Sequence, residues 1–446
     1  MMVNEMSVYA NMKESGIDWI GAVPSHWAMH TLYQLVSPVK AKNKDLSEKN
    51  LLSLSYGKIK RKNIEDTEGL LPESFDGYNI IEAGDVVLRL TDLQNDHTSL
   101  RVGLATERGI ITSAYTTLRP SENCVSKYLY YLLHSFDIRK GFYGMGSGVR
   151  QGLNYDEVKE LRIVLPRYDE QEAIGAYLDE QCALIDEAII EARTSIDEYK
   201  TWRKAVITHA VTRGLNHDTD TYDTGIPWVG QIPNGWAFVK ITNILDSNHA
   251  YPIGDGDHGL IKATDYVDAG IPYIRVQNLG WGTDLCLDGI MYITSEMNEK
   301  IKSSILKPND VLFAKTGGTI GKTGIVPQNM PVANTTSHVG KITVSPKHNP
   351  RYVFYVLSSN IGYNQFWEIA SAKTTRPELS IDEIKSLRIT LPSNRVEQDE
   401  IVSYLDRVCP IIDSMIGVKE SLVIELEQYK QSLIFETVTG KRKVVQ

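Results

Sequence analysis

The sequence contains few cysteines and no long apolar run. Its 446 residues include four cysteines, which lie far apart and form no C-x-x-C pair. This spacing argues against a disulfide framework and against a standard zinc module. No stretch approaches the roughly 18 apolar residues of a membrane span, and the N-terminal residues lack the apolar segment of a signal peptide. We therefore expect a cytoplasmic protein without a bound metal.

The chain also lacks the excess of positive charge that is common in nucleic-acid-binding proteins. Its formal net charge is −9, which by itself argues mildly against such a partner. The charge is unevenly distributed, however, because acidic residues outnumber basic ones between Asp169 and Arg213. The other segments are therefore closer to neutral, and locally basic loops remain compatible with the acidic average.

Catalytic motifs occur only in incomplete form. The string Thr316–Thr323 nearly spells a P-loop, but Thr316 replaces the first glycine and a strand, not a helix, is predicted to follow. We interpret it as a glycine-rich loop between strands, or as a backbone-amide loop near DNA phosphates. Phe142–Gly146 matches F-x-G-x-G of methyltransferases, but the chain has no Asn/Asp-Pro-Pro-aromatic tetrapeptide. The pairs Glu157/Lys159 and Glu383/Lys385 fit the end of a nuclease motif, yet both lie in predicted capping boxes. We expect no catalytic residue.

A duplicated helical stretch dominates what is present. Glu170–Thr212 and Glu397–Thr439 align without a gap at an offset of 227. Apolar residues recur at alternating steps of three and four, which is typical of a coiled coil. A helix of this length would measure roughly 64 Å. Each copy is the obvious partner of the other, although Pro410 predicts a kink in the second. The residues predicted to pair the helices are Leu178, Ile185, Tyr199, Val206, Leu405, Ile412, Leu426 and Leu433, and the predicted stripe also includes Trp202, Met415, Leu422 and Tyr429.

The duplication extends beyond the helices. Gly16–Trp27 is repeated as Gly225–Trp236, and the aromatic helical segment Tyr128–Leu133 is repeated as Tyr352–Leu357. This order predicts an α/β fold with two globular domains in tandem and two long antiparallel coiled-coil helices between them, related by pseudo-twofold symmetry. The predicted segments are an N-terminal domain over 1–167, a central helix over 168–213, a C-terminal domain over 214–393, and a distal helix with its tail over 394–446.

The interiors of the two halves differ, since residues 40–80 and 245–305 do not align. A constant frame around variable interiors suggests a recognition device. Lysine and arginine residues among glycine, serine and threonine suit contacts with phosphates and base edges. The candidate DNA-binding residues are Lys58, Lys60, Arg61, Lys62, Arg89, Arg101, Arg150, Lys315, Lys322, Lys373 and Arg376.

These repeated motifs resemble the specificity subunit of type I restriction–modification enzymes. The resemblance is carried by Trp-x-Gly-x-x-Pro-x-x-Trp, by Gln-x-x-Ile-x-x-Tyr-Leu-Asp and by a closing Val-Thr, each of which occurs twice. It implies that each domain recognises one half of a bipartite DNA target, and that the helices set the spacer and dock two modification subunits. It further implies motor–nuclease restriction subunits as partners. S-adenosylmethionine would then bind in the modification subunits, and this chain would have no cofactor.

Other functional classes stay open from the residues alone. A lone methyltransferase or nuclease would need a catalytic tetrapeptide or a metal cluster, which the sequence does not show. A structural adaptor could use the helices to assemble other proteins without reading DNA. A related system with the same subunit architecture, but with fused modification and cleavage activities, is a further alternative.

Overall fold

A computed structural model describes residues 8–62, 74–93, 95–96, 98–145, 152–216, 218–373 and 377–444. The chain divides into two compact units, Met1–Arg193 with Ser421–Gln446, and Thr194–Glu420. Both divisions fall inside the long helices α3 (Tyr168–Arg213) and α8 (Arg395–Val438), so each unit holds part of both helices. The four predicted segment boundaries stay a prediction, and the compact units cut across them.

The first unit is built mainly from short strands. Its elements, in chain order, are β1 (Met12–Glu14), β2 (Ala22–Pro24), β3 (Ala28–Thr31), β4 (Val36–Pro38), β5 (Leu52–Ser55), β6 (Lys58–Arg61), β7 (Asn79–Ile81), β8 (Val86–Leu88), β9 (Val102–Leu104), β10 (Gly109–Ile111), β11 (Thr116–Pro120), α1 (Ser126–Ile138), α2 (Tyr155–Val158), β12 (Arg162–Leu165) and the start of α3 (Tyr168–Arg213).

The centre of the first unit is an antiparallel sheet of order β4-β11-β8-β9. Helix α1 contacts β8 and β9 through a face that buries Leu129, Leu132 and Leu133. The pairs β1–β2, β3–β12, β5–β6 and β7–β10 are separate two-stranded sheets. The predicted capping box opens α2, where the Asn154 side chain accepts from the backbone N–H of Glu157 and the Glu157 carboxylate accepts from that of Asn154.

The second unit repeats this order with additional elements. Its elements are β13 (Thr221–Asp223), β14 (Gln231–Pro233), β15 (Ala237–Lys240), β16 (Ile253–Asp255), β17 (Ile271–Ile274), β18 (Met291–Ile293), α4 (Ser295–Lys300), β19 (Val311–Ala314), β20 (Thr323–Ile325), β21 (Asn334–Thr335), β22 (Val339–Ile342), α5 (Pro350–Ser358), α6 (Asn360–Ser371), α7 (Ile381–Ser386), β23 (Arg388–Leu391) and part of α8 (Arg395–Val438).

The two units share a frame and differ in what is inserted into it. The sheet β16-β22-β19-β20 corresponds to β4-β11-β8-β9, and the pairs β13–β14 and β15–β23 correspond to β1–β2 and β3–β12. The second unit adds a sheet of order β18-β17-β21, in which β17 and β21 are parallel. In its place the first unit has the hairpin β5–β6 and the pair β7–β10. The predicted tandem α/β domains with two long helices are confirmed.

Equivalent contacts fasten the repeated segments Gly16–Trp27 and Gly225–Trp236, here called the clasps, to the long helices. The indole N–H of Trp27 donates to Glu170 at 3.2 Å, and that of Trp236 donates to Glu397 at 2.9 Å. Glu170 and Glu397 are the first residues of the duplicated stretch. The glutamine that follows each of them, Gln171 in the first unit, holds the start of the aromatic helix by accepting from a backbone N–H. The repeated Glu-Gln therefore has a structural role in both units.

Within each unit the long helices run antiparallel. In the first unit the Lys430 ammonium group contacts Asp186 at 2.6 Å, and Arg193 contacts Glu427 at 2.9 Å. Residue numbers rise along α3 as they fall along α8, which defines the antiparallel direction. In the second unit Arg203 contacts Asp413 at 2.7 Å and Lys200 contacts Glu420 at 3.8 Å, with the same direction.

Four of the twelve named positions of the predicted stripe are displaced by one residue. Trp202, Met415, Leu422 and Tyr429 are exposed, and the residues after them, Arg203, Ile416, Val423 and Lys430, take the inward positions. Five other predicted positions are buried as predicted, namely Leu178, Ile185, Leu405, Ile412 and Leu433. The remaining three are half-buried, namely Tyr199, Val206 and Leu426. In a 3.5-residue repeat, the next inward residue can follow after a step of three or of four. In several places both of these residues are apolar, as for Met415 and Ile416 or Leu422 and Val423. Only the helix partner selects between them.

Helix α8 continues through Pro410 from Arg395 to Val438. Pro410 faces outward, next to the buried Cys409. Among the described residues, no helix combines the length and apolar character needed to cross a membrane.

Candidate nucleic-acid interface

The hairpin β5–β6 is a basic, exposed element of the first unit. Its strands are joined by Tyr56 and Gly57, both with positive φ, at 48° and 76°. Two left-handed residues give the type I′ turn that matches the twist of a two-residue hairpin. In β6, Ile59 lies against the Cα of Gly103, while Lys58 and Lys60 alternate with it and are exposed. The hairpin therefore presents its lysines outward.

Four predicted residues meet on this hairpin, since Lys58, Lys60, Arg61 and Lys62 are all exposed. Arg61 forms an ion pair with Glu107, and this carboxylate raises the pKa of the Arg61 guanidinium. In the part of the chain that the structure describes, the three lysines have no carboxylate partner. Tyr56 at the tip is 74% exposed. The hairpin thus combines exposed positive charge with an aromatic ring, which suits phosphate contact and stacking or wedging at a base step.

Arg101 lies in the interior of the first unit. Its guanidinium is fully buried and donates to the carbonyls of Arg89 at 3.2 Å, Thr91 at 2.7 Å and Asp92 at 3.3 Å. It therefore anchors the loop between β8 and β9 rather than presenting its charge outward. Arg89 is half-buried, 3.8 Å from Asp96. For Arg101, burial argues against direct DNA contact.

Lys315 has a similar internal role in the second unit. Its side chain is 3% exposed, and its ammonium group lies 2.8 Å from Asp255 and 3.0 Å from Glu378. A buried lysine with two carboxylates is an internal tie between three segments that are distant in sequence: the end of β16, the end of β19 and the residue Glu378 before α7. The assignment of Lys315 as a DNA-binding residue stays a prediction. The burial of its side chain argues against this assignment.

The remaining candidates are less enclosed. Lys373 forms an ion pair with Glu383 at 2.7 Å, and Lys322 is half-buried at the start of β20. Arg150 and Arg376 lie outside the described residues. The candidates whose charge reaches the surface in the described part of the chain are thus Arg89, Lys322, Lys373 and the hairpin residues.

The glycine-rich string of the second unit connects β19 to β20. Its centre, Gly317–Thr319, is a single 3₁₀ turn, and the strand Thr323–Ile325 follows directly. The predicted strand is confirmed, so the loop lacks the helix N-terminus that a P-loop requires. Added side-chain atoms at Gly317 and Gly318 would meet nothing within 4 Å. This open backbone leaves room for close approach of a polyanion.

The carboxylates of the two apparent nuclease motifs are occupied in capping. Glu157 accepts from the backbone N–H of Asn154 at 2.8 Å, and Glu383 accepts from that of Ser380 at 2.7 Å. The capping-box interpretation is confirmed for both. Among the described residues, no group of three or more histidine, cysteine or acidic side chains is placed to hold a metal ion.

Sequence reasoning missed two features that the structure brings forward. Tyr56 was not singled out, although Tyr-Gly between two alternating strands is a hairpin-turn signal. The ion pairs between α3 and α8 were also missed. Their signal was present in the duplication, because Asp186 matches Asp413 and Arg203 matches Lys430 in the alignment.

The type I restriction modification DNA specificity domain family matches residues 233–422. The match covers less than half of the chain and runs from the end of β14 into α8. The predicted resemblance of the chain to type I specificity subunits is confirmed by similarity to such subunits in sequence and in fold.

Two specificity subunits are similar in sequence. The type I restriction enzyme EcoBI specificity subunit of Escherichia coli is 26% identical over 292 residues, which cover 64% of this chain and 59% of that protein. The chain thus matches less than two thirds of the EcoBI subunit's length. The putative type I restriction enzyme MjaX specificity subunit of Methanocaldococcus jannaschii is 22% identical over 440 residues, which cover 95% and 96% of the two chains.

One solved structure shares the fold over most of the chain. It comes from work on complex assembly and conformational transition of the type I R-M system, and it superposes with a TM-score of 0.65. Sequence identity is 15%, and the match covers 93% of this chain and 98% of that one. At this identity the likeness shows the fold alone.

Proposed function

We propose that this chain is the DNA-reading subunit of a type I restriction–modification complex, with each α/β domain recognising one half of a bipartite target. The observation that carries the proposal is the exposed basic hairpin of Lys58, Lys60, Arg61 and Lys62, built on a frame that the second domain shares. Exposed lysines such as these can neutralise phosphates. The two domains share a frame but carry different added elements, which are β5–β6 with β7–β10 in the first and the sheet β18-β17-β21 in the second. This difference allows the two halves of the DNA target to differ in sequence.

The long helices would set the spacer between the half-sites and dock two modification subunits. Their contacts support this role, because each unit pairs α3 with α8 through a seam and ion pairs. In this proposal S-adenosylmethionine binds in the modification subunits, and restriction subunits join the same complex. The chain itself would have no catalytic activity and no cofactor, and it would act in the cytoplasm.

Exchange of domain interiors tests independent reading. Residues 30–150 would be replaced by the corresponding segment of another specificity subunit, and the methylated sequence would be read from genomic DNA by methylation-sensitive sequencing. We expect one half of the target to change and the other to persist. A change in both halves would refute independent reading.

Helix insertion tests the spacer. Adding one or two helical turns after Ile196, matched in α8, lengthens the pair by about 5 Å per turn. We expect the same two half-sites with a longer unread spacer. An unaltered spacer would show that the helices do not set the distance.

A further inference from the structure

The ion pairs between α3 and α8 fall into two sets. The sets differ in whether the two repeats carry the same charge or opposite charges at equivalent positions. In the first set, Asp186–Lys430 and Arg203–Asp413 are related by the offset of 227. Both repeats carry an acid at the first of these positions and a base at the second. Any pairing of two repeats, like or unlike, would therefore bring acid and base together at these positions.

The second set behaves differently. Arg193 pairs with Glu427 and Lys200 pairs with Glu420, and these pairs are again related by the offset. Here the first repeat carries two bases, Arg193 and Lys200, and the second repeat carries two acids. Two copies of the first repeat in the same antiparallel register would place Arg193 against Lys200. Two copies of the second would place Glu420 against Glu427.

We propose that these four residues select pairing of the first repeat with the second and reject pairing of either repeat with a copy of itself. The helix surface of each half thus fits the other half of the chain, and its partner is defined by charge. The apolar seam cannot supply this choice, since both repeats have apolar residues at most of its positions. This inference does not rest on the proposed function in DNA reading.

The selection arises because several contacts change sign together. The side chains of these pairs are about half exposed, with fractions between 48% and 62%, so each pair alone contributes little. Two pairs of a first repeat with a second repeat can exchange into one pair of first repeats and one pair of second repeats. This exchange replaces four attractive contacts by four repulsive ones. Like charges at such spacing destabilise about as much as unlike charges stabilise. The combined preference should reach at least about tenfold.

Cleavage of the folded chain tests the selection. A protease site inserted after Asn216, between α3 and β13, is cut once the protein has folded, and the halves are left to exchange at low concentration. Native mass spectrometry then measures the product of the two homodimer concentrations over the square of the heterodimer concentration. We expect this ratio at least about tenfold below the statistical value. A statistical mixture in the cleaved wild type would overturn the proposal.

The variant Lys200→Glu should abolish the preference. In the heterodimers Glu420 would then face a glutamate, while Arg193 and Glu427 still attract. In the homodimers the first repeats would attract and the second repeats would still repel. Both sides thus have equal numbers of attractive and repulsive contacts, so the ratio should rise about tenfold or more, to the statistical value. Asp186→Asn is the matched control, because it removes the same number of contacts from both sides and should leave the ratio unchanged. Salt near 1 M should move the wild type toward the statistical mixture. An unchanged ratio in Lys200→Glu would contradict the charge selection.

The intact chain provides a second measurement if the halves do not exchange. Lys200→Glu and Glu420→Lys should each lower the melting temperature, and the double variant should recover most of the loss. Additive losses in the double variant would show that Lys200 and Glu420 do not interact, and would overturn the proposal independently of exchange.

Discussion

The two domains solve the same packing problem with different chemistry. In the first unit the N–H of Leu153 donates to the carbonyl of Leu90 at 2.8 Å, and in the second the N–H of Leu379 donates to that of Lys315 at 2.9 Å. Leu90 and Lys315 are therefore equivalent positions, and both are buried. One unit fills the position with an apolar side chain and the other with an ammonium group held by Asp255 and Glu378.

This difference teaches that the frame depends on backbone contacts and on a few repeated side chains, not on the chemistry of the interior. The repeated groups are the clasp tryptophans with their glutamates, the capping boxes and the helix ion pairs. The outer elements vary around them, as the basic hairpin β5–β6 and the sheet β18-β17-β21 show. Such a frame can carry different recognition surfaces without losing its fold.

The largest effect should come from breaking the buried charge cluster of the second unit. Lys315→Met removes the ammonium group that Asp255 and Glu378 share, and the buried Asp255 carboxylate keeps His258 at 3.1 Å. We expect a loss of about 3–5 kcal/mol in unfolding free energy, mainly from Asp255. The equivalent Leu90→Met conserves volume and polarity and should cost less than about 1.5 kcal/mol. Urea denaturation of both variants measures the contrast. Equal costs at the two positions would show that the cluster does not stabilise its unit.

A pH-dependent difference should follow from His134, whose equivalent in the second unit is Ser358. Burial, with a contribution from Lys430, lowers the pKa of His134 to about 4, from an ordinary value of 6.5. Between these values the unfolded chain binds a proton that the folded chain does not, so stability is present above about pH 6.5 and is lost as the pH falls to about 4. The loss amounts to about 3 kcal/mol.

The variant His134→Phe isolates this effect. Phenylalanine can keep the stacking on Tyr130, whose ring centroid lies 5.5 Å from that of His134, but it does not titrate. Relative to the wild type, its unfolding free energy should rise as the pH falls from 7 to 4. Ser358→Ala should show no such change. A constant difference between His134→Phe and the wild type over this range would contradict the assignment.

The basic hairpin should matter for DNA affinity rather than for stability. Replacing Lys58, Lys60 and Lys62 by glutamine should weaken binding roughly tenfold to a hundredfold at low salt and reduce the salt slope by about 2–3. Fluorescence anisotropy with duplex DNA over a salt series measures both quantities in the assembled complex. Lys159→Gln removes a charge at the C-cap of α2, outside the hairpin, and is the control. An unchanged salt slope in the triple variant would place the phosphate contacts elsewhere.

The smallest contrast should separate the two clasps. Glu170 accepts from the Tyr9 hydroxyl and the Trp27 indole and lies 3.0 Å from His26, whereas Glu397 accepts from the indole of Trp236. Glu170→Ala should therefore cost about 1–2 kcal/mol more than Glu397→Ala, because more polar groups lose their partner. Thermal unfolding of the two variants provides the comparison. A larger cost for Glu397→Ala would reverse the ranking of the clasps.

Local signals made much of the fold predictable. The capping boxes at Asn154 and Ser380 mark the starts of α2 and α7, and the aromatic segments near Tyr128 and Tyr352 lie in α1 and α5. These elements depend on hydrogen bonds and periodicities within a few residues, which are visible in the chain. The candidate site was less predictable, because a surface lysine such as Lys58 and a buried one such as Lys315 look alike in sequence.

The sequence by itself determined the duplication, the helical character of the two long repeated stretches and the frame that opens and closes each half. Those properties follow from repeated residues and from helical periodicity. Only the tertiary structure decided that Ile416 rather than Met415 enters the seam, and that Arg101 and Lys315 turn inward. The reason is physical: a helix face with adjacent apolar residues is defined to within one position, and the burial of a charge depends on partners from distant segments.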